Sequence, residues 1–303
     1  MAGISGMFDA GRRALFVNQR GLEVTSQNIA NVNTPGYTRQ EAILEATRPL
    51  DRQPGQIGTG VQVSEIRRVV NTFIENQITS GESRFGRLET EAGLLNRIEL
   101  SFTDADGTGL NLALSDFFSA IQDLATNPQH RPARAVLLER AKQLSQEFVQ
   151  TDTQFRQIQA DTNKELIGVL GEINQFAAQV AALNQRIKEV TLSGQRPNDL
   201  YDQRQNLINE ISEHIDIRTL EDQFGQTTIF VGNGKTLVEG ANAGSLVGVA
   251  DADKNGFLNV SFDPGNGNRV DITGAISGGR LNSLMDVRDN LIPSYLDRLE
   301  QLS

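Results

Sequence analysis

Between Pro132 and Leu192 the chain contains no proline, and its only glycines there are Gly168 and Gly171. Apolar residues recur through this stretch at helical spacing, among them Leu166, Leu170, Ile173, Val180, Leu183 and Ile187. A single helix over it, at 1.5 Å per residue, would approach ~90 Å, longer than a compact domain needs. The pattern therefore predicts a rod-shaped body of bundled helices, with a kink permitted at the two glycines. Other helices are expected from Asn71 to about Phe102, from Leu110 to Thr126, from about Asp199 to His214, and from Leu281 to Leu302. The first of these carries a heptad run, Ile74, Ile78, Gly81, Phe85, Leu88, Ala92 and Leu95, behind Asn71 as a plausible N-cap.

From Ile215 the periodicity changes to strict alternation. Short strands are predicted at Ile215 and Ile217, Thr227 to Val231, Thr236 to Val238, Leu246 to Val249, Phe257 to Phe262 and Val270 to Ile272. Asn233-Gly234 between two of them suits a type I′ hairpin turn. Helix returns at about residue 280, so the bundle is discontinuous in sequence.

The N-terminus carries its own heptad. Phe8, Leu15, Leu22 and Ile29 recur every seven residues, with Ile4, Gly11, Asn18 and Thr25 in the second seam position. Ala10, Val17 and Val24 form another stripe about 180° away. Such a helix suits neighbours on both sides, whereas a lone surface helix needs one apolar stripe. Pro35 ends it, and Pro35-Gly36 fits the centre of a type II turn. The following segment, 38–66, holds Pro49, Pro54, Gly55, Gly58 and Gly60, and reads by default as a linker or loop with a short strand at Val61 and Val63.

The wording of that helix stop, Asn28-Ile29-Ala30-Asn31-Val32-Asn33-Thr34-Pro35-Gly36-Tyr37, resembles the N-terminal signature of bacterial flagellar axial proteins. Its continuation, Thr38-Arg39-Gln40, is most similar to the hook-associated, hook–filament junction family. Three later stretches resemble that family in its own order. They are Thr108-Gly109-Leu110 with Phe117-Phe118, Asn127-Pro128 and Arg134 to Leu137; Asn198-Asp199-Leu200-Tyr201-Asp202-Gln203-Arg204; and Ser277-Gly278-Gly279-Arg280-Leu281 with Leu284, Asp286, Arg288 and Asp289. The resemblance implies a structural subunit that polymerises helically, partnered by hook protein and by a second hook–filament junction protein. It also implies export through the flagellar type III apparatus, aided by a chaperone. In the family the 38–66 segment joins the terminal helix to the body and touches neighbouring subunits. The family continues past the position of Ser303 to a C-terminal heptad helix, which partners the N-terminal one and adjoins the chaperone site. The expectation is therefore of a fragment or a truncated variant.

Chemistry-bearing patterns do not survive inspection. Thr103-Asp104-Ala105-Asp106-Gly107 looks like a calcium loop, but its twelfth position from Asp104 is Ser115 rather than glutamate. Gly234-Lys235-Thr236 looks like the end of a phosphate loop, but Ile229 stands where the leading glycine belongs. His130 and His214 are the only histidines, His214 near a helix end where a cation favours the dipole. Asp199 and Asp202 beside Arg204 read as an N-cap and surface ion pairs rather than an acid–base pair. There is no cysteine. A net charge of -10 argues against nucleic acid and anionic membrane surfaces. No run of ~18 apolar residues suggests a membrane span, and Arg12 and Arg13 interrupt any secretory signal core, so no cleaved signal peptide is expected.

The reading is thus a mainly α chain with an inserted small β domain, an elongated coiled-coil rod plus an N-terminal heptad helix. Residues 1–70 would be the polymerisation segment, 71–214 plus 280–303 the rod, and 215–279 the β insertion. Assembly contacts are expected from Ile4, Phe8, Leu15, Leu22, Ile29, Val17, Val24, Asn31, Pro35, Gly36 and Tyr37. The N-terminal helix would pack on a C-terminal helix by one stripe and on neighbours by the other, extracellularly, in the flagellum. No catalytic, metal or cofactor site is expected. The alternatives are another secreted helical-rod surface protein or adhesin, and behind it a hydrolase in the β insertion.

Overall fold

The computed structural model describes residues 2–52, 55–102 and 109–303. The calcium-like stretch from Thr103 to Gly107 lies outside them, as do Pro54 and Thr108. Helix α1 (Ala2–Ala30) is followed by a hairpin in which β1 (Gln40–Ala46) pairs antiparallel with β4 (Val61–Arg68). Its tip carries a short pair, β2 (Leu50–Arg52) and β3 (Gly55–Ile57). The linker reading of 38–66 is corrected here. That reading weighed glycines and prolines, which gather at the hairpin's tip and return, over Ile43, Leu44, Val61, Val63 and Ile66, which suit paired strands.

The rod follows as α2 (Thr72–Leu100), α3 (Leu110–Thr126), α4 (Arg131–Leu192) and α5 (Asn198–His214). Helix α4 runs unbroken for 62 residues, through both glycines. His130 caps it by accepting the Ala133 N–H at 3.3 Å. Leu166, Ile173, Val180 and Ile187 are fully buried at intervals of seven, under α5, the return helix and the β insertion. Helix α3 covers the N-terminal part of α4, Phe148 included. One stretch of α4 is apolar enough to cross a membrane by length and composition, as the core helices of folded domains can also be. Helix α2 meets α5 and the return helix, and its buried residues are Ser83, Gly86, Leu94 and Ile98. A Cβ at Gly86 would run into the Glu213 carbonyl, so this approach needs glycine. The heptad run of α2 faces the other way: Ile74, Ile78, Phe85, Leu88 and Leu95 are all exposed.

In the β insertion, β5 (Ile217–Glu221), β6 (Thr227–Val231), β7 (Lys235–Glu239) and β8 (Asn242–Ala243) form one antiparallel sheet in chain order. Strands β9 (Ser245–Ala250), β10 (Leu258–Asp263) and β11 (Val270–Asp271) form another. The turn at Asn233 is not type I′. Val231 pairs with Lys235, leaving a three-residue loop whose positive φ angles fall on Gly232 and Gly234 and not on Asn233. Helix then returns as α6 (Gly279–Asp286) and α7 (Ile292–Leu302), joined by a π turn (Val287–Leu291). Pro293 cannot donate to the preceding turn, and Ile292 N–H reaches back to Val287 instead. The turn carries Arg288, fully buried, held by Asp289 at 2.6 and 2.9 Å and by Asn163 at 2.7 Å.

Asparagines on α4 tie the insertion down. Asn174 donates to Leu246 O at 2.8 Å and accepts Leu246 N–H at 2.7 Å. Asn184, fully buried in the seam, does the same with Thr227 at 2.8 and 2.9 Å. It also accepts from Arg204 at 3.1 Å and donates to Gly240 O at 3.0 Å, so its amide is fully used.

Candidate assembly interface

Helix α1 has two unlike faces. Ala10, Ala14, Val17, Gly21, Val24 and Asn28 alternate by four and three, and all are at least half-buried, Val17 and Val24 at 8% exposure. This stripe of small residues lies on β1 and β4. Val17 and Val24, expected against neighbouring subunits, are therefore covered by the chain's own hairpin. The opposite face is open: Ile4, Phe8, Leu15, Leu22 and Ile29 are 69–74% exposed, and Gly11, Asn18 and Thr25 lie exposed between them. Fully burying these five side chains would be worth ~10 kcal/mol gross, at ~1.5–3 kcal/mol each. Five large apolar residues in heptad register thus stand open to water on one face of α1.

The other expected contact residues form a joint. The Tyr37 N–H bonds Thr34 O at 3.2 Å across the Pro35-Gly36 turn, where Gly36 has φ 76°. A Cβ on Gly36 would strike the Asn206 side chain on α5. Asn31 is half-buried, donating to Gln27 O at 3.0 Å and accepting from Thr34 at 3.2 Å. Pro35 is exposed. Tyr37 donates to Asn28 Oδ1 at 2.8 Å, and burial, then Asp202 and Asp199, raise its pKa. Asn28 also clamps the hairpin, accepting Gln40 N–H and donating to Gln40 O, both at 2.9 Å.

The segment 198–204 completes the joint. Asn198 donates to Gln40 Oε1 at 3.2 Å and Ile66 O at 2.9 Å. Asp202 accepts Thr38 N–H at 3.1 Å, and its other oxygen is 2.7 Å from Arg68 Nε. That pair is close but off hydrogen-bond alignment, so the attraction is Coulombic. Asp202 and Arg204 are buried, not surface, groups. Arg204 meets Glu221 at 2.9 Å and Gly225 O, and burial lowers its pKa. Nor is Asp199 an N-cap: Pro197 holds that position, and Asp199 lies in the first turn, accepting from Gln40 at 3.5 Å. His214 does end α5, but its surroundings disfavour the charged form. It is buried, stacked on Phe176, and its pKa is lowered by burial and by Arg280 against a weaker pull from Glu172.

Among the described residues no group of three or more His, Cys, Asp or Glu could hold a metal ion. An open groove of about 610 Å³ between α3, α4 and α7 is mostly apolar, with Phe117, Phe148 and Leu299 in its walls. Sequence reasoning missed the hairpin as the partner of α1. The four-and-three spacing of Ala10, Ala14, Val17, Gly21 and Val24 was the available signal, since small residues admit close backbone approach.

A family described as the flagellar hook-associated protein FlgK helical domain matches residues 95–303, and one described as flagella basal body rod protein matches residues 8–38. Flagellar hook-associated protein 1 of Bacillus subtilis (strain 168) is 31% identical over 238 residues, 76% of this chain and 47% of the relative. That of Salmonella typhimurium is 30% identical over 303 residues, 99% of this chain and 55% of the relative. The chain thus spans about half the length of the curated relatives it matches. In fold it is similar to the flagellar hook junction protein FlgK from Burkholderia pseudomallei, with a TM-score of 0.61 and 23% identity over 70% of this chain and 39% of that one.

Proposed function

Because the chain belongs to the flagellar hook-associated protein FlgK family, we propose that it is a structural subunit of the bacterial flagellum, seated at the hook–filament junction. Assembly is by helical polymerisation through the exposed seam of α1. The observation that carries this reading is that seam: five large apolar residues in heptad register, each at least 69% exposed, on a helix whose other face is already covered. Residues 1–70 act as the polymerisation unit, 71–214 plus 280–303 as the rod, and 215–279 as a small outer domain. Its partners are further copies of itself, hook protein and a second hook–filament junction protein. It works outside the cell, and a chaperone engages the protein during export.

The test is Leu22→Asp, introduced into the cells that make the protein. A charge in the centre of the seam is expected to abolish recovery of the protein in sheared hook–filament structures. Thermal unfolding of the purified variant is expected to match the parent, because Leu22 is 69% exposed. Normal incorporation would sink the proposal.

A further inference from the structure

The segment Asn198-Asp199-Leu200-Tyr201-Asp202-Gln203-Arg204 takes no part in the exposed seam, yet its side chains reach across to the N-terminal unit. We propose that it is a polar latch: Asp202 and Asn198 hold the N-terminal unit at one angle to the rod, and opening the latch lets that unit swing as a rigid body about residues 69–71.

Three observations carry this. The N-terminal unit coheres by itself, since α1 buries Val17 and Val24 on the hairpin and Asn28 is locked to Gln40. Contact with the rod is of another kind. Asp202 takes Thr38 and Arg68, Asn198 takes Gln40 and Ile66, and Arg196 meets Glu65 at 2.7 Å. The continuous apolar core starts at Leu94 and includes no residue of the N-terminal unit. Polar contacts trade partners with water at small net cost, whereas apolar faces resist separation. Lastly, the chain crosses between the two parts at 69–71. Val69 N–H still bonds Arg39 O at 2.8 Å, Asn71 already caps α2 through Phe73 N–H at 3.0 Å, and Val70 stands exposed between them.

The electrostatics suit release. Arg68 is not stranded when Asp202 lets go, because it also reaches Glu75 at 3.4 Å, four residues past Asn71 and so beside the pivot. A buried ion pair that loses one partner is costly only when the other is left alone. Burial is the leading influence on Glu75 and raises its pKa, while Arg68 opposes the rise. The inference concerns the chain itself and stands apart from the assembly reading.

The chain has no cysteine, so spin labels on Ser26→Cys and Ala178→Cys, both exposed positions, report the angle cleanly by electron–electron distance measurement. The parent is expected to give one narrow distance peak. Asp202→Ala is expected to broaden it or add a second peak, with rod unfolding by circular dichroism unchanged. Asp202→Asn, which keeps an acceptor for Thr38 N–H, is expected to lie between. A peak as narrow in Asp202→Ala and Asn198→Ala as in the parent overturns the latch, as does a parent distribution already as broad as the variants'. Should Asp202→Ala weaken the rod, Asn198→Ala decides by the same criterion.

Discussion

The two best heptads in the molecule meet opposite fates. On α4, Leu166, Ile173, Val180 and Ile187 are wholly buried. On α1, Phe8, Leu15, Leu22 and Ile29 have the same spacing and similar bulk, and stand at least 69% exposed. Periodicity specifies a seam; it does not say whether the partner is in the same chain. What separates the regions is how each opposite face is used. Helix α4 is enclosed by α5, α6 and the sheets, whereas α1 gives its small-residue face to a hairpin and keeps its large residues free.

The sharpest way to break this comparison is to cut the same amount from each seam. Ile173→Ala is expected to cost roughly 2–5 kcal/mol in urea unfolding, because the cavity lies in a closed core. Leu22→Ala is expected to stay within about 0.5 kcal/mol in the same measurement. Similar losses at both sites would mean that the α1 seam is covered in solution. A smaller effect is expected from Asn184→Ala, about 2–3 kcal/mol, since the Thr227 N–H and the Arg204 guanidinium each lose an acceptor. Leucine at the same position should rescue little, which separates lost bonds from lost volume.

The smallest effect is acid sensitivity confined to one region. Burial holds His214 below its ordinary 6.5, so the unfolded chain binds the extra proton first. Stability is therefore full above pH 6.5 and declines as pH falls from there to the depressed folded value. Residues 1–70 contain no histidine. Amide protection, measured against the intrinsic exchange rate at each pH, should fall in α5 and α6 on mild acidification while that of α1 and its hairpin stays unchanged. Replacement of His214 by Gln should remove the difference.

Long-range order was legible where it rested on repetition. The long helix α4, the heptad seam of α1, and the switch to strands after Ile215 were all written in spacing. What escaped depended on which distant groups meet. Nothing around Asn174 says that it will bond Leu246, 72 residues on. Asp202 read as a surface group because its burial comes from a hairpin that glycines and prolines disguised. The heptad of α2 was legible as a repeat, yet its helix packs by another face, that of Ser83, Gly86, Leu94 and Ile98. At His214 the helix end was legible, but burial and the nearness of Arg280, which disfavour the charged form, were not.

One feature of the asparagine clamps bears on how such a chain survives crowding. Strand β9 is an edge of its sheet, and Asn174 occupies the outward N–H and C=O of Leu246. Asn28 does the same for Gln40 on β1, half of a two-stranded sheet. An open edge is a template on which a second chain can add a strand, and that route leads to amorphous or fibrous aggregates. A side-chain amide set into each edge acts as a stopper. A second chain is thereby discouraged from zipping onto either edge at those residues.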